Sequence, residues 1–169
     1  MIISGLAQKY LEKSLRTNVE GLGKGTILEV KNERGIGKTL DVVVYDGVMK
    51  LNDNILIGAP DGNPIETKIK SLFKIKNGKF IPCKSVNASS AVKVSTTEVE
   101  GIISGMPIKV FGDNREIIEK QIKNEIEEVL IETDNEGIIV KADTLGSLEA
   151  LINLIKQKGI KIKKAKVGD

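Results

Sequence analysis

Between Val19 and Phe111 the sequence is a succession of short β-branched runs with no helical stretch between them. The runs include TILEV, TLDVVVY, TKIKSLFKI and AVKVST, and Asp-Gly or Asn-Gly pairs follow Tyr45, Pro60 and Lys76. Such pairs tolerate the positive φ values of tight hairpin turns. Many short strands without intervening helices protect their edges best by closing on themselves. The pattern therefore predicts a small closed β-barrel.

Helical periodicity occurs on both sides of this β-rich region. Apolar residues recur every three or four positions over residues 2–16 and again over 115–130. Near the C terminus, an apolar strand at 138–140 precedes a helical segment that ends at Gly159 and a second strand at 160–167. Two parallel strands and one helix are fewer elements than a parallel sheet normally has. The predicted fold class is mainly β plus α/β: a closed β-barrel, then a helix and an incomplete β-α-β unit.

The scarcity of certain residue types excludes common kinds of catalytic site. The chain has no histidine and a single cysteine, Cys83, among its 169 residues. Imidazole acid–base catalysis, a Ser-His-Asp triad, an internal disulfide and a thiolate zinc cluster are therefore excluded. No apolar run approaches the roughly 20 residues that span a bilayer, and the N-terminal residues lack the pattern of a secretory signal. We therefore expect a cytoplasmic protein without membrane contact.

The segment NERGIGKT, from Asn32 to Thr39, nearly spells a phosphate-binding P-loop and represents an enzymatic alternative. That motif requires glycine at the position of Asn32, and a helix must follow its Ser or Thr so that amides can receive the phosphates. The residues after Thr39 are Leu-Asp-Val-Val-Val-Tyr, which is typical of a strand. The segment is therefore predicted to be a hairpin tip, and a small P-loop nucleotide-binding protein is the less favoured interpretation.

A row of lysines is the strongest candidate for a contact surface. Over residues 65–76 the even positions carry mostly lysine and the odd positions carry apolar residues, threonine or serine, an alternation broken by Leu72 on the lysine side. This pattern predicts a strand with one basic face. The lysines of this face are Lys68, Lys70, Lys74 and Lys76. Lysines two positions apart on a strand lie roughly 6–7 Å from each other, which suits a row of nucleic-acid phosphates. The alternatives are a solvated face or an edge protected against aggregation. A second lysine cluster occupies residues 156–166.

Five segments resemble translation initiation factor 5B of archaea and eukaryotes, the counterpart of bacterial initiation factor 2. They are GLAQKYLEKSL (5–15), GKGTILEVK (23–31), GIGKTLDVVVYDG (35–47), KADTLGSLEAL (141–151) and IKKAKVGD (162–169). The segments are distributed along nearly the whole chain, from residue 5 to residue 169, and occur in the family's order. KADTLGSLEAL is the most specific, and it favours an initiation factor over the alternative, the barrel region of an elongation-factor-type GTPase.

The resemblance implies four parts. Residues 1–17 would be the helix leaving the family's G domain, 18–112 the β-barrel of domain II, 113–136 a linking helix, and 137–169 the start of the α/β domain III. The chain would then be a ribosome-contacting, non-catalytic segment of a GTP-dependent factor that promotes subunit joining and placement of initiator methionyl-tRNA. Its partner would be the ribosome, through small-subunit ribosomal RNA and also the large subunit. GTP, magnesium and initiator tRNA would bind other domains, so we expect no cofactor, metal, nucleotide-binding or catalytic residue here.

Overall fold

A computed structural model describes residues 19–60, 62–76, 78–97, 100–130 and 137–167. The helix predicted over residues 2–16 lies outside the described residues. The strands are β1 (Lys24–Glu33), β2 (Gly37–Asp46), β3 (Val48–Lys50), β4 (Asn54–Ile57), β5 (Ile65–Lys76), β6 (Lys79–Pro82), β7 (Ser85–Asn87), β8 (Ser90–Thr96), β9 (Pro107–Val110), β10 (Ile138–Ala142) and β11 (Ile162–Val167). The helices are α1 (Arg115–Leu130) and α2 (Leu145–Gln157). Neither of these described helices is long and apolar enough to cross a membrane.

Six antiparallel strands close into a barrel in the order β4-β9-β1-β2-β8-β5, and the pairing of β5 with β4 completes the ring. Alternate residues of these strands fill the interior, among them the fully buried Ile55, Leu40 and Val94. β6 extends the sheet beyond β5, and the ribbon formed by β3 and β7 contributes buried Met49 and Val86 to the same core. Each strand of the ring has two neighbours, so the predicted closed barrel is confirmed.

The P-loop-like segment lies at the tip of the hairpin formed by β1 and β2. Glu33 pairs with Gly37, and the amide of Ile36 donates a hydrogen bond to the Glu33 carbonyl at 3.3 Å. The φ angle of Gly37 is +86°, a conformation that side chains with a Cβ rarely adopt. Thr39 continues β2 and pairs with Lys31, so no helix begins where a P-loop would need one. The predicted hairpin tip is therefore confirmed.

α1 packs along the outer wall of the barrel, over β4 and β9. Its apolar stripe, Ile118, Ile122 and Ile126, is buried. The packing at Gly58 of the barrel is close, because a Cβ placed there would lie 2.8 Å from Ile126 Cδ1. The helix therefore contacts the barrel through the side chains that its 3.6-residue periodicity brings to one side.

Ion pairs flank this apolar contact between α1 and the barrel. Lys109 of β9 is 6% exposed, and its Nζ lies 2.6 Å from Glu125 Oε2 on α1. At the other end of the helix, Arg115 Nε lies 2.8 Å from Glu66 Oε2 on β5. The pair that involves Lys109 carries more weight in positioning α1, because its ammonium is withdrawn from water, whereas exposed pairs contribute little.

The C-terminal unit consists of the parallel strands β10 and β11 connected by α2, which confirms the predicted β-α-β order. The side chain of Thr144 caps α2 by accepting a hydrogen bond from the Ser147 amide at 3.1 Å. Leu148 of α2 is fully buried in the core cluster that includes Val140 of β10. The unit meets the barrel near Gly105, where a Cβ would lie 3.0 Å from the Leu145 amide nitrogen.

Candidate nucleic-acid interface

The lysines of β5 do not share one face, because the strand contains a register shift between Ile69 and Ser71. Before the shift, Thr67 and Ile69 are the buried residues, whereas after it the buried residue is Leu72. In a β-bulge two residues of one strand oppose one residue of its partner, so the inward and outward positions exchange. The prediction of a single basic face is therefore wrong. Its local signal was Leu72, the apolar residue that occupies a lysine position in the alternation.

The bulge divides the four predicted lysines into two pairs. Lys68 and Lys70 lie on the outer side of the barrel wall. Lys74 and Lys76 lie on the side of Leu72, where β5 continues beyond the closed ring to pair with β6. All four side chains are exposed. The structure thus brings together only half of the predicted site.

A lysine of β6 extends the second pair into a cluster. Lys79 is directly opposite Lys76, and Ile81 is directly opposite Lys74. Residues directly opposite each other in an antiparallel pair project to the same side, with Cβ atoms about 4.5–5.5 Å apart. Lys74, Lys76 and Lys79 are all exposed and form one surface, the β5–β6 lysine face. In the sequence Lys79 and Lys84 follow these lysines with no acidic residue between them, but only the β5–β6 pairing shows that Lys79 lies opposite Lys76.

The opposite side of the same hairpin covers a buried ion-pair network. Lys93 of β8 is 2% exposed, and its Nζ lies 2.8 Å from Glu33 Oε1 and 3.0 Å from Asp41 Oδ1. The ammonium also lies 4.5 Å from the ring centroid of Phe80 on β6, within the range of a cation–π interaction. Burial opposes the charge of Lys93, but the hydrogen bonds with the two carboxylates outweigh it and raise the pKa of the side chain.

Lys93 therefore joins the two hairpins that extend from the barrel. Glu33 and Asp41 belong to the β1–β2 hairpin, whereas Phe80 belongs to the β5–β6 hairpin. Because one buried side chain contacts both hairpins, we expect it to limit their movement relative to each other. Sequence reasoning missed this residue.

The second predicted cluster, residues 156–166, is also distributed over several elements. Lys156 lies in the last turn of α2 and Lys158 at its C-cap, whereas Lys164 and Lys166 lie on β11. The cluster therefore does not form one surface as a whole.

Comparison with known proteins agrees with the fold. No protein-family model matches the chain. The chain is 47% identical over its whole length to two archaeal proteins, each described as "Probable translation initiation factor IF-2", from Methanococcus maripaludis strain C5 and Methanocaldococcus jannaschii, and it spans 30% and 15% of their respective lengths. The solved structure of GDP-bound aIF5B from Aeropyrum pernix matches 99% of this chain and 29% of its own, with a TM-score of 0.85 and 34% identity. Over its whole length the chain is therefore homologous to one segment of the archaeal translation initiation factor IF-2 and aIF5B family.

Proposed function

We propose that this chain is a non-enzymatic, ribosome-contacting segment of a GTP-dependent translation initiation factor. The observation that carries the proposal is the homology of the entire chain to a segment of proteins named as initiation factors. The P-loop-like sequence is a hairpin tip, so GTP and magnesium are assigned to a different part of the factor. Subunit joining and placement of initiator methionyl-tRNA, in the cytoplasm, are the roles we propose for the whole factor.

The proposal includes a division of the chain into functional parts. Residues 18–112 correspond to domain II and contain the barrel, residues 113–136 link it to the next unit, and residues 137–169 begin domain III. Residues 1–17 would connect the barrel to the G domain. The packing of α1 against the barrel wall and of α2 on the paired strands β10 and β11 supports these boundaries.

Small-subunit ribosomal RNA is the partner that we assign to the barrel. The β5–β6 lysine face presents exposed ammonium groups at the spacing of a β-hairpin, and lysine contacts phosphates as a point charge. The chain contains only two tyrosines and three phenylalanines, so stacking on unpaired bases contributes little. Recognition of backbone and shape therefore suits this surface better than recognition of base sequence.

Replacing each of the two lysine pairs of β5 by glutamine, in separate variants, should distinguish an RNA contact at one face from general attraction by charge. Binding of the chain to small ribosomal subunits should weaken as the salt concentration rises. The double variant Lys74→Gln, Lys76→Gln should reduce the magnitude of the slope of log affinity against log salt by about 1.4–1.8, because each lost phosphate contact removes about 0.7–0.9. The matched control, Lys68→Gln with Lys70→Gln, removes the same charge from the other side of β5 and should change the slope by less than about 0.5. Fluorescence anisotropy across a salt series measures both.

Each contrary outcome has a distinct meaning. Equal losses in the two variants would show attraction by net charge without an oriented face. Unchanged slopes in both would assign all four lysines to solubility and edge protection. A wild-type chain that does not bind small subunits at low salt would overturn the ribosome-contacting role itself.

A further inference from the structure

The end of the β5–β6 hairpin extends beyond the closed ring of the barrel. The pairing of β5 with β8 stops at Lys74. Among the described strands, the hairpin beyond this point pairs only with itself, through Ile75 with Phe80 and Lys76 with Lys79. A two-stranded ribbon is marginally stable by itself, and its twist varies more than that of a larger sheet. The direction of this end therefore depends on side-chain contacts with the rest of the barrel.

Phe80 makes such a contact on the back of the hairpin. Phe80 and Ile75 are directly opposite each other, so both project to the side that faces away from the β5–β6 lysine face. The Phe80 ring centroid lies 4.5 Å from Lys93 Nζ, and Lys93 is 2% exposed. The ring therefore connects the lysine-bearing hairpin to a buried charge on β8.

The β1–β2 hairpin fixes the position of that charge. Lys93 Nζ lies 2.8 Å from Glu33 Oε1 and 3.0 Å from Asp41 Oδ1. Glu33 belongs to the P-loop-like segment, where it pairs with Gly37. A buried ammonium that moved away from these carboxylates would lose its counter-charges, which is costly. The cation is therefore confined to the place where the two carboxylates and the Phe80 ring converge.

We propose that Lys93 is a positioning residue, which through the Phe80 ring fixes the direction in which the β5–β6 lysine face meets ribosomal RNA. Glu33 acts on the same surface through Lys93, although it lies on a different hairpin. This role rests on the proposed function, since the surface is the RNA site assigned there. Several lysines can contact the phosphates of an ordered backbone together only if the hairpin has a defined direction, and a hairpin held in advance loses less freedom on binding.

Phe80→Leu tests the contact, because it removes the aromatic ring and leaves every charge in place. The ring is 48% exposed, so its loss should not unfold the barrel. For binding of the whole chain to small ribosomal subunits, the change should reduce the magnitude of the slope of log affinity against log salt by about 0.7–1.8, which corresponds to one or two phosphate contacts. Phe80→Tyr keeps an aromatic face and should restore the slope. Ile75→Leu, on the same side of the hairpin, should change it by less than about 0.4, half of one contact.

Glu33→Ala distinguishes positioning from attraction by charge through the sign of its effect. The change removes a negative charge, so attraction by net charge alone would strengthen binding to a polyanion. Positioning predicts weaker binding and a smaller slope, because Lys93 loses its link to the β1–β2 hairpin. Stronger binding by Glu33→Ala would overturn the proposal. So would a lower affinity of Phe80→Leu with an unchanged slope, because that result would indicate a direct contact between the ring and RNA.

Hydrogen exchange without ribosomes separates this role from the proposed function. In Phe80→Leu and in Glu33→Ala the amides of β6 should exchange about 2- to 30-fold faster, the range that loss of a cation–π contact supports, whereas the amides around Val94 of β8 should not change. If the wild-type chain does not bind small subunits, the proposed function fails, while faster exchange in β6 would still support anchoring of the hairpin by Lys93. Unchanged exchange in β6 in both variants would overturn the anchoring even if the wild-type chain binds normally.

Discussion

Replacing both carboxylates around Lys93 should destabilise the chain by about 3 kcal/mol, near the lower end of the cost of leaving a buried charge without its partner. The changes are Glu33→Gln and Asp41→Asn, which keep the shapes of the side chains and remove their charges. Lys93 is 2% exposed, so water cannot replace the lost counter-charges. Amide oxygens can still accept hydrogen bonds from the ammonium, which keeps the loss at this lower end. Urea-induced unfolding followed by circular dichroism measures the free energy.

Removing the charge of Lys93 as well should recover most of this loss. Lys93→Met in the doubly substituted protein leaves uncharged side chains at all three positions, and replacing a buried charge together with its partners is often close to neutral. Lys31, which lies 3.2 Å from Asp41, keeps Glu29 as its partner at 2.7 Å. Lys93→Met alone should lower the free energy of unfolding by less than the double variant Glu33→Gln, Asp41→Asn does. The side chains of Glu33 and Asp41 are 40% and 24% exposed, so water can hydrate them when the ammonium is absent. A loss under about 1 kcal/mol in the carboxylate double would mean that the Lys93 ammonium reaches water in solution.

The same substitutions should reverse the pH dependence that Lys93 contributes. In the wild-type chain burial lowers the pKa of Lys93, but the two carboxylates outweigh it and the pKa is raised. Its stabilisation is therefore complete below the ordinary lysine pKa of about 10.4 and is lost as pH rises through the raised value. In the double variant Glu33→Gln, Asp41→Asn the two carboxylates no longer raise the pKa of Lys93, and burial lowers it. The difference in free energy of unfolding between the wild-type chain and this variant should therefore become smaller as pH rises towards about 10. A deficit that is constant between pH 7 and about 10 would contradict the network.

Ile122→Ala should cost about 2–5 kcal/mol, as expected for truncating a fully buried aliphatic side chain. Ile122 is 0% exposed and lies at the centre of the α1 stripe, between Ile118 and Ile126. Removing its side-chain atoms leaves a cavity in a closely packed part of the core, and a close-packed interior relaxes only partly around such a cavity. Urea-induced unfolding again measures the change.

A residue of the same helix provides the control for this change. Ile117 is 59% exposed and adjacent in sequence, so Ile117→Ala tests the same loss of side-chain atoms without a buried contact. Its cost should stay below about 1 kcal/mol, since surface substitutions rarely exceed a few tenths. Equally small losses at both positions would show that α1 is not packed on the barrel in solution.

The barrel and the β-α-β unit could be predicted because their signals are local. Short β-branched runs and Gly-containing turns specify hairpins, and the apolar spacing that includes Leu148 and Ile152 specifies the amphipathic α2. The single lysine face could not be predicted correctly, because the bulge near Ile69 arises from the pairing of β5 with β8. Strand alternation is exact only while the register is unbroken.

The burial of Lys93 is a second feature that sequence periodicity could not predict. In the run AVKVST it has the same pattern as an exposed strand lysine. Its burial results from the convergence of two hairpins, and the hydrogen-bonded carboxylate of Glu33 is 60 positions away in the chain. Long-range pairing of this kind depends on the tertiary structure and cannot be predicted from the local sequence.

As a ribosome-contacting segment of an initiation factor, this chain should occupy the position on the small ribosomal subunit that the corresponding segment of a full-length factor occupies. The most direct measurement is competition: a fluorescent, full-length archaeal initiation factor IF-2 is bound to small ribosomal subunits and titrated with unlabelled chain. We predict that the wild-type chain displaces the factor, and that the chain with Lys74→Gln and Lys76→Gln does so more weakly than the chain with Lys68→Gln and Lys70→Gln. If the bound fraction of the factor stays constant while the chain saturates the subunits, the chain does not occupy that position and the claim is wrong.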